Sequence, residues 1–517
     1  MDADDLPVFP DAFNMADYFV FANIAAGRGS KIAILFEDRA IRYHEVAENI
    51  SRVAAQLVSD GLLPEQRVLL CMRDCPEFVY TWFGAIKAGA VVAQINPLLP
   101  ASDYAYYLDY VKPQFAFIDE ASATEFGVAA AQSRHCGEGR NIISVGKVFN
   151  AWLERPITSN ASPWPTRCDD PAVWLFTSGT TGQSKAAVHS HGHFAFNAEV
   201  YAKRFIGVSE EDVTLSGPRL FFGYATGTNL MFPFAVGATT VLFREQPTAD
   251  RIFALIAKHK PTILTSVPTL INKMLEPASI ADLSSLRFMW SAGEALPSEL
   301  HGRWNARYAV PIIDGIGSAE SFHIYISNHP ADIRPGSLGR LVPGYEAKLL
   351  DDEDVPVAYG DVGTLWIKGG SAALHYHGAY AKSLEHLRGG WIVSGDKFRQ
   401  DDEGYWYYEG RGDDLIKSGG IYVSPVEVEN ILMRHPAVQE CCVIGRKDDA
   451  GLEKPFAIIV PNQSFSGDDA LANDLIAFAK TQLARYKAPH GLIFSKTALP
   501  RNDRDKIDRK LLRKLYV

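Results

Sequence analysis

The stretch Ala172-Val173-Trp174-Leu175-Phe176-Thr177-Ser178-Gly179-Thr180-Thr181-Gly182-Gln183-Ser184-Lys185 decides how the fold is read. Ala172 to Phe176 is a short apolar run, which predicts a buried strand. Thr177 to Thr181 are all hydroxyl or glycine positions, followed by Gly182 and Lys185. Hydroxyls donate, glycines let backbone N–H groups approach phosphate oxygens, and a lysine neutralises charge. A strand running into such a loop predicts an α/β sheet with a polyphosphate cradle where ligands tend to sit. The spacing excludes a Walker A loop, Gly-x-x-x-x-Gly-Lys-Ser/Thr. Here two residues separate Gly179 from Gly182, and the lysine stands three beyond.

Outward from this loop, helices alternate with apolar strands from about residue 30 to 330. Tyr43 to Asp60 and Pro76 to Gly89 have helical periodicity, and Arg67 to Met72 and Ala90 to Ile95 read as strands. This alternation predicts layered α/β subdomains with a largely parallel sheet. From about 336 to 410 short strands and turns predict a small β-barrel-like lobe: Gly336 to Leu350, Gly363 to Lys368, Trp391 to Phe398 and Gly404 to Glu409. Beyond 412 the order is strand, helix (Pro425 to Arg434), strands (Val438 to Gly445, Pro455 to Pro461), helix (Asp468 to Arg485) and strand (Gly491 to Phe494). The chain therefore divides into a large unit, 1–411, and a small α+β unit, 412–517, joined at the hinge-like Gly410-Arg411-Gly412-Asp413-Asp414.

With 517 residues, several cores are needed. Apolar residues at 47% and charged residues at 22% match a globular protein. A net charge of −10 argues against nucleic-acid or anionic-membrane partners. The opening Met1-Asp2-Ala3-Asp4-Asp5 lacks the basic and apolar regions of a signal peptide, and no apolar run reaches membrane-spanning length. The six cysteines form no CxxC pair, so free thiols in a cytoplasmic protein are expected.

Further glycine-rich turns follow strand-like runs: Ser291-Ala292-Gly293-Glu294-Ala295-Leu296-Pro297 and Asp314-Gly315-Ile316-Gly317-Ser318-Ala319-Glu320. Then come Trp391-Ile392-Val393-Ser394-Gly395-Asp396, Gly410 to Lys417, and Lys506-Ile507-Asp508-Arg509-Lys510-Leu511-Leu512-Arg513. As an ordered set these motifs resemble the adenylate-forming superfamily of acyl-CoA synthetases, adenylation domains and luciferases, over nearly the whole chain. Leu220 to Tyr224 with Ser318 to Ile324 is similar to the benzoate- and 2-aminobenzoate-CoA ligases.

The resemblance implies activation of a carboxylate as a mixed anhydride with AMP, then attack by a CoA thiol. Joining two anions requires cations at the transition state. By the resemblance, Thr177, Ser178, Gly179, Thr180, Thr181, Gly182 and Lys185 hold the phosphates of ATP. Gly293, Glu294 and Ala295 flank the adenine, with Asp314 nearby, and Ala319 belongs to the same nucleotide site. Asp396 accepts both ribose hydroxyls and Arg411 also reaches the ribose. Glu320 places Mg²⁺, a hard cation suited to carboxylate and phosphate oxygens. Lys506 bridges the acyl carboxylate and α-phosphate during adenylation. Asp413 is the hinge, Lys417 serves the thioester step, and Gly419 and Gly420 let the pantetheine arm of CoA pass, in a C-terminal unit that rotates between half-reactions. Phe222, Gly223, Tyr224, Gly317, His323 and Ile324 match the lining of an aryl pocket.

Four positions depart from the pattern. Ala319 replaces a threonine, leaving Ser318 or Ser321 as the neighbouring hydroxyls. Gln183-Ser184-Lys185-Ala186 lacks the usual proline, Asp505 replaces the glycine before Lys506, and Gly412 loosens the hinge motif. The implied activity is an aryl-CoA ligase for benzoate or an ortho-substituted benzoate, with 2-aminobenzoate favoured, working as a monomer or homodimer. The alternatives are a stand-alone adenylation enzyme that loads a carrier protein, a luciferase-like oxidase, and a non-catalytic acyl- or nucleotide-binding protein.

Overall fold

The computed structural model describes residues 6–135, 141–156, 164–178, 183–277, 279–418, 421–448, 452–462, 464–501 and 507–516. Two large sheets organise the N-terminal part. In the first, Arg67–Cys71, Val91–Gln94, Phe115–Ile118, Ile142–Ser144 and Pro171–Ser178 run parallel, and Ser184–Ser190 and His375–Tyr376 extend one edge antiparallel. In the second, Ile32–Phe36, Thr239–Leu242, Val213–Ser216, Ile263–Ser266, Phe288–Ser291 and Ile312–Gly317 run parallel. Arg39–Arg42 closes one end of it and Ile324–Ser327 with Arg340–Leu341 the other, antiparallel.

Val91–Gln94, Phe115–Ile118, Ile263–Ser266 and Phe288–Ser291 are buried at every position. Continuous apolar strands of this kind need cover on both faces. The helices Tyr43–Ser59 and Pro76–Lys87 supply part of it: Val53 and Phe83 share one core with Ile34 of the second sheet and Val68 and Phe117 of the first. The sequence predicts these two helices and the strands Arg67–Cys71 and Val91–Gln94 to within two residues at their ends. It also predicts layered α/β subdomains with a largely parallel sheet, and the structure has two such sheets, each with antiparallel edges. Antiparallel pairing appears where the connection is too short for a crossover, as between Pro171–Ser178 and Ser184–Ser190.

The lobe is a five-stranded antiparallel sheet of Tyr345–Leu350, Val362–Gly369, Leu387–Arg388, Trp391–Gln400 and Trp406–Arg411. Beyond it, Val438–Lys447, Glu453–Pro461 and Gly491–Phe494 form a sheet packed with the helices Pro425–Leu432 and Asp469–Gln482. A final helix, Arg509–Tyr516, occupies the charged run that gave no sequence signal. It is anchored by Leu512, buried against Cys442, Ile444 and Ile458. Among the described residues no helix is long and apolar enough to cross a membrane, and the five described cysteines are free.

Candidate active site

A cavity of about 1680 Å³ opens where strands of both sheets end. Its walls include Thr177 at the end of one sheet's hairpin strand, and Gly217, Val267, Ala292 and Ser318 just beyond the ends of strands of the other. Ligands of α/β proteins gather at such carboxyl ends.

At one end of the cavity, Thr177 pairs in register with Lys185, on the two antiparallel strands that flank the phosphate-loop motif. Gly179, Thr180, Thr181 and Gly182 lie outside the described residues, as does the Ser178 side chain. Lys185 stands over the Tyr376 ring, its Nζ 3.6 Å from the centroid. Burial lowers its pKa, and the Glu320 carboxylate works against that shift. The Tyr376 hydroxyl donates to Glu320 Oε1 at 2.6 Å, and burial raises the tyrosine's pKa. Lysine, aromatic ring and carboxylate thus form one stack on the cavity wall.

The turn after Ile312–Gly317 sends its side chains to opposite ends of the site. A Cβ on Gly317 would come within 2.3 Å of the His323 carbonyl oxygen, so only glycine fits there. Ala319–Ser321 is a single helical turn, and Phe322 follows at φ 66°. A non-glycine residue in that region costs about 1–3 kcal/mol. Phe322 is held there by stacking on Phe194, with ring centroids 3.5 Å apart. Glu320 consequently faces the charged end while His323 lies among Tyr224, Phe232 and Phe322. Ser321 is fully buried and donates to the His323 carbonyl at 2.9 Å, whereas Ser318 borders the cavity. Of the two hydroxyls beside Ala319, Ser318 is the one placed to reach a ligand.

His323 Nε2 lies 2.9 Å from the Tyr224 carbonyl oxygen. A carbonyl only accepts, so Nε2 carries the proton. Burial pushes the ring's pKa down to about 4, leaving it neutral with Nδ1 as an acceptor. Nδ1 has no partner among the described residues, and neither has the buried Tyr224 hydroxyl. Phe222, Gly223, Tyr224, Gly317, Ala319, His323 and Ile324 all border the same cavity. A Cβ on Gly223 would meet Leu175 at 3.4 Å, so the protein's own packing does not demand glycine there.

Asp396 and Arg411 face each other in register on adjacent strands and both border the cavity, as does Gly293. Glu294 instead turns its carboxylate to Thr269, accepting from its N–H at 3.2 Å and its hydroxyl at 2.9 Å. Ala295 is half-buried in the same turn. Asp314 is buried, its Oδ1 without a partner among the described residues, and burial pushes its pKa up to about 8. Asp413 is exposed and pairs with Arg411 at 3.4 Å. The backbone of Lys417 pairs with Tyr422 in a hairpin. Gly419, Gly420 and Lys506 lie outside the described residues.

Residues 21–377 match the AMP-binding enzyme family and residues 427–506 its C-terminal domain. The chain belongs to the AMP-binding enzyme family. It is 39% identical over 511 residues to a benzoate–CoA ligase of Thauera aromatica, covering 98% of this chain and 96% of that protein. It superposes on an anthranilate CoA ligase, AuaEII, in complex with anthranoyl-AMP, with TM-score 0.92, 36% identity, and 100% and 99% of the two chains covered. A benzoate CoA ligase from Burkholderia xenovorans LB400 gives TM-score 0.88 at 38% identity, covering 97% and 100%.

Three residues around this family site escaped sequence reasoning. Tyr376 sits in His375-Tyr376-His377, which has no pattern of its own. Thr269 and Arg501 meet only through the fold, with Arg501 Nη1 donating to Thr269 Oγ1 at 3.2 Å.

Proposed function

We propose that this AMP-forming acid–CoA ligase acts on benzoate and ortho-substituted benzoates, with 2-aminobenzoate preferred. The observation that carries the preference is the His323 tautomer: a neutral ring in a residue that borders the cavity, with a buried acceptor nitrogen that has no partner among the described residues. A ring amino group supplies the donor that such an acceptor needs, and an unsubstituted ring leaves it unpaired. Gly223, which packing does not require, leaves room beside the ring.

ATP would lie with its phosphates toward Thr177 and Lys185 and its ribose between Asp396 and Arg411. Glu320 fits a cation role, since Tyr376 occupies Oε1 and leaves Oε2. Among the described residues no cluster of three potential metal ligands exists, so Mg²⁺ there would complete its shell from phosphate oxygens. When bound, the metal neutralises phosphate charge. Lys506 would bridge the acid and α-phosphate, and rotation at Asp413 would then bring Lys417, Gly419 and Gly420 to the site for CoA. This reading divides the chain at 411/412 and places the protein in the cytoplasm as a monomer or homodimer.

Pyrophosphate release is measured with a panel of benzoates, with and without CoA. Release with 2-aminobenzoate above benzoate, and a CoA thioester as product, support the proposal. ATP binding without release would sink it.

A further inference from the structure

Arg501 begins the segment that ends with Lys506, and its backbone bridges to Ile507 just past it. Its guanidinium reaches in two directions. Nη2 donates to Glu440 Oε1 at 3.0 Å within the C-terminal sheet. Nη1 donates to Thr269 Oγ1 at 3.2 Å across to the N-terminal body. Thr269 borders the cavity and stands in the first turn of the helix Pro268–Leu275. Both its hydroxyl and its N–H are held by Glu294 Oε2. Glu294 thereby satisfies an otherwise unpaired first-turn N–H and orients the Thr269 oxygen toward the arginine. Glu440 also accepts from Leu499 N at 2.9 Å, fixing the chain just before Arg501.

The geometry points to a positioning role for this chain of groups, Glu440–Arg501–Thr269–Glu294, and we propose that it latches the C-terminal unit at the cavity rim for adenylation. The inference rests on the ligase reading. The latch fastens the base of the Lys506 segment to a helix that itself lines the nucleotide end of the site. A cation–hydroxyl bond with a carboxylate behind the hydroxyl is stronger than a neutral pair and depends on direction. Rotation at Asp413 must break it, so it favours the first half-reaction and is absent from the second.

The test measures the two half-reactions separately in the full-length protein. Thr269→Val should slow ATP–pyrophosphate exchange roughly tenfold or more through kcat, with thioester formation from supplied aryl-AMP and CoA unchanged. Thr269→Ser should restore exchange. Arg501→Met also removes the Glu440 bond, so it should cost less exchange in the Thr269→Val background than it costs alone, because the two variants share the Thr269 contact. Equal losses in both half-reactions, a change confined to KM for ATP, or additive effects would overturn the latch. Absence of exchange in the unmodified protein would instead overturn the ligase reading.

Discussion

The two ends of the cavity are built by different physics. At the aryl end, His323 and Phe322 are buried and Tyr224 is half-buried with its hydroxyl covered, and burial is the main cause of their state: the histidine is neutral and the tyrosine's pKa is raised. At the phosphate end, Lys185, Glu320, Asp396 and Arg411 are open or partly open around the buried Tyr376, and they interact through charge and hydrogen bonds. The first end is finished before a ligand arrives. By the proposed reading, the second assembles charges for phosphates and a cation, and the C-terminal unit would complete it. Substitutions at the charged end should therefore lower rate for every acid, while those at the aryl end should change the choice of acid.

The largest effect expected is at Lys506. Lys506→Ala should lower adenylation by roughly a hundredfold to a thousandfold for all benzoates alike, and spare thioester formation from supplied aryl-AMP. Equal loss of both steps would remove Lys506 from its assigned place. Glu320→Gln comes next. It keeps the Tyr376 contact but removes charge, and should cost roughly a hundredfold in exchange rate while raising the Mg²⁺ concentration for half-maximal rate. An unchanged metal requirement would break the assignment.

The aryl end should respond through selectivity. His323→Phe should cut the ratio of kcat/KM for 2-aminobenzoate over benzoate roughly tenfold, leaving benzoate itself little changed. Because burial holds the His323 pKa near about 4, the wild-type ratio should be flat across neutral pH. It should fall only in acid, where Nδ1 gains a proton and stops accepting. A ratio that titrates near neutrality would show that the ring is not buried neutral in solution.

The sequence made both ends legible to unequal depth. Strands and helices carry their own periodicity, and ordered glycine turns locate the Gly293 and Gly317 walls because such turns follow strand ends. Phe222, Tyr224, Glu320, His323, Asp396 and Arg411 all reach the cavity. What stayed hidden depends on distant partners. Tyr376 gains its place only when its strand joins the hairpin edge beside Lys185. Thr269 and Arg501 are 232 positions apart. Glu294 and Asp314 carry motif positions that suggest contact with adenine, yet one turns to Thr269 and the other is buried. Motif spacing specifies the backbone turn; the orientation of each side chain is decided by packing. The terminal helix was masked by its charges, with Leu512 its one fully buried anchor.

Asp314, close enough to the aryl end for its charge to act on the Tyr224 hydroxyl, offers the smallest check that burial governs there. Its pKa is raised from 3.8 to about 8, and burial is the main cause. Between those values the folded protein keeps a proton that the unfolded chain releases. The group's contribution to stability is therefore complete below about 3.8 and drains away as pH rises through about 8. Asp314→Asn preserves shape and removes the titration. Its melting temperature should fall less than the wild type's between pH 6 and pH 9, by on the order of 1–3 °C. Identical pH profiles for the two proteins would mean that the carboxyl is solvated, and that the floor beneath the aryl end is open to water in the way the phosphate end is.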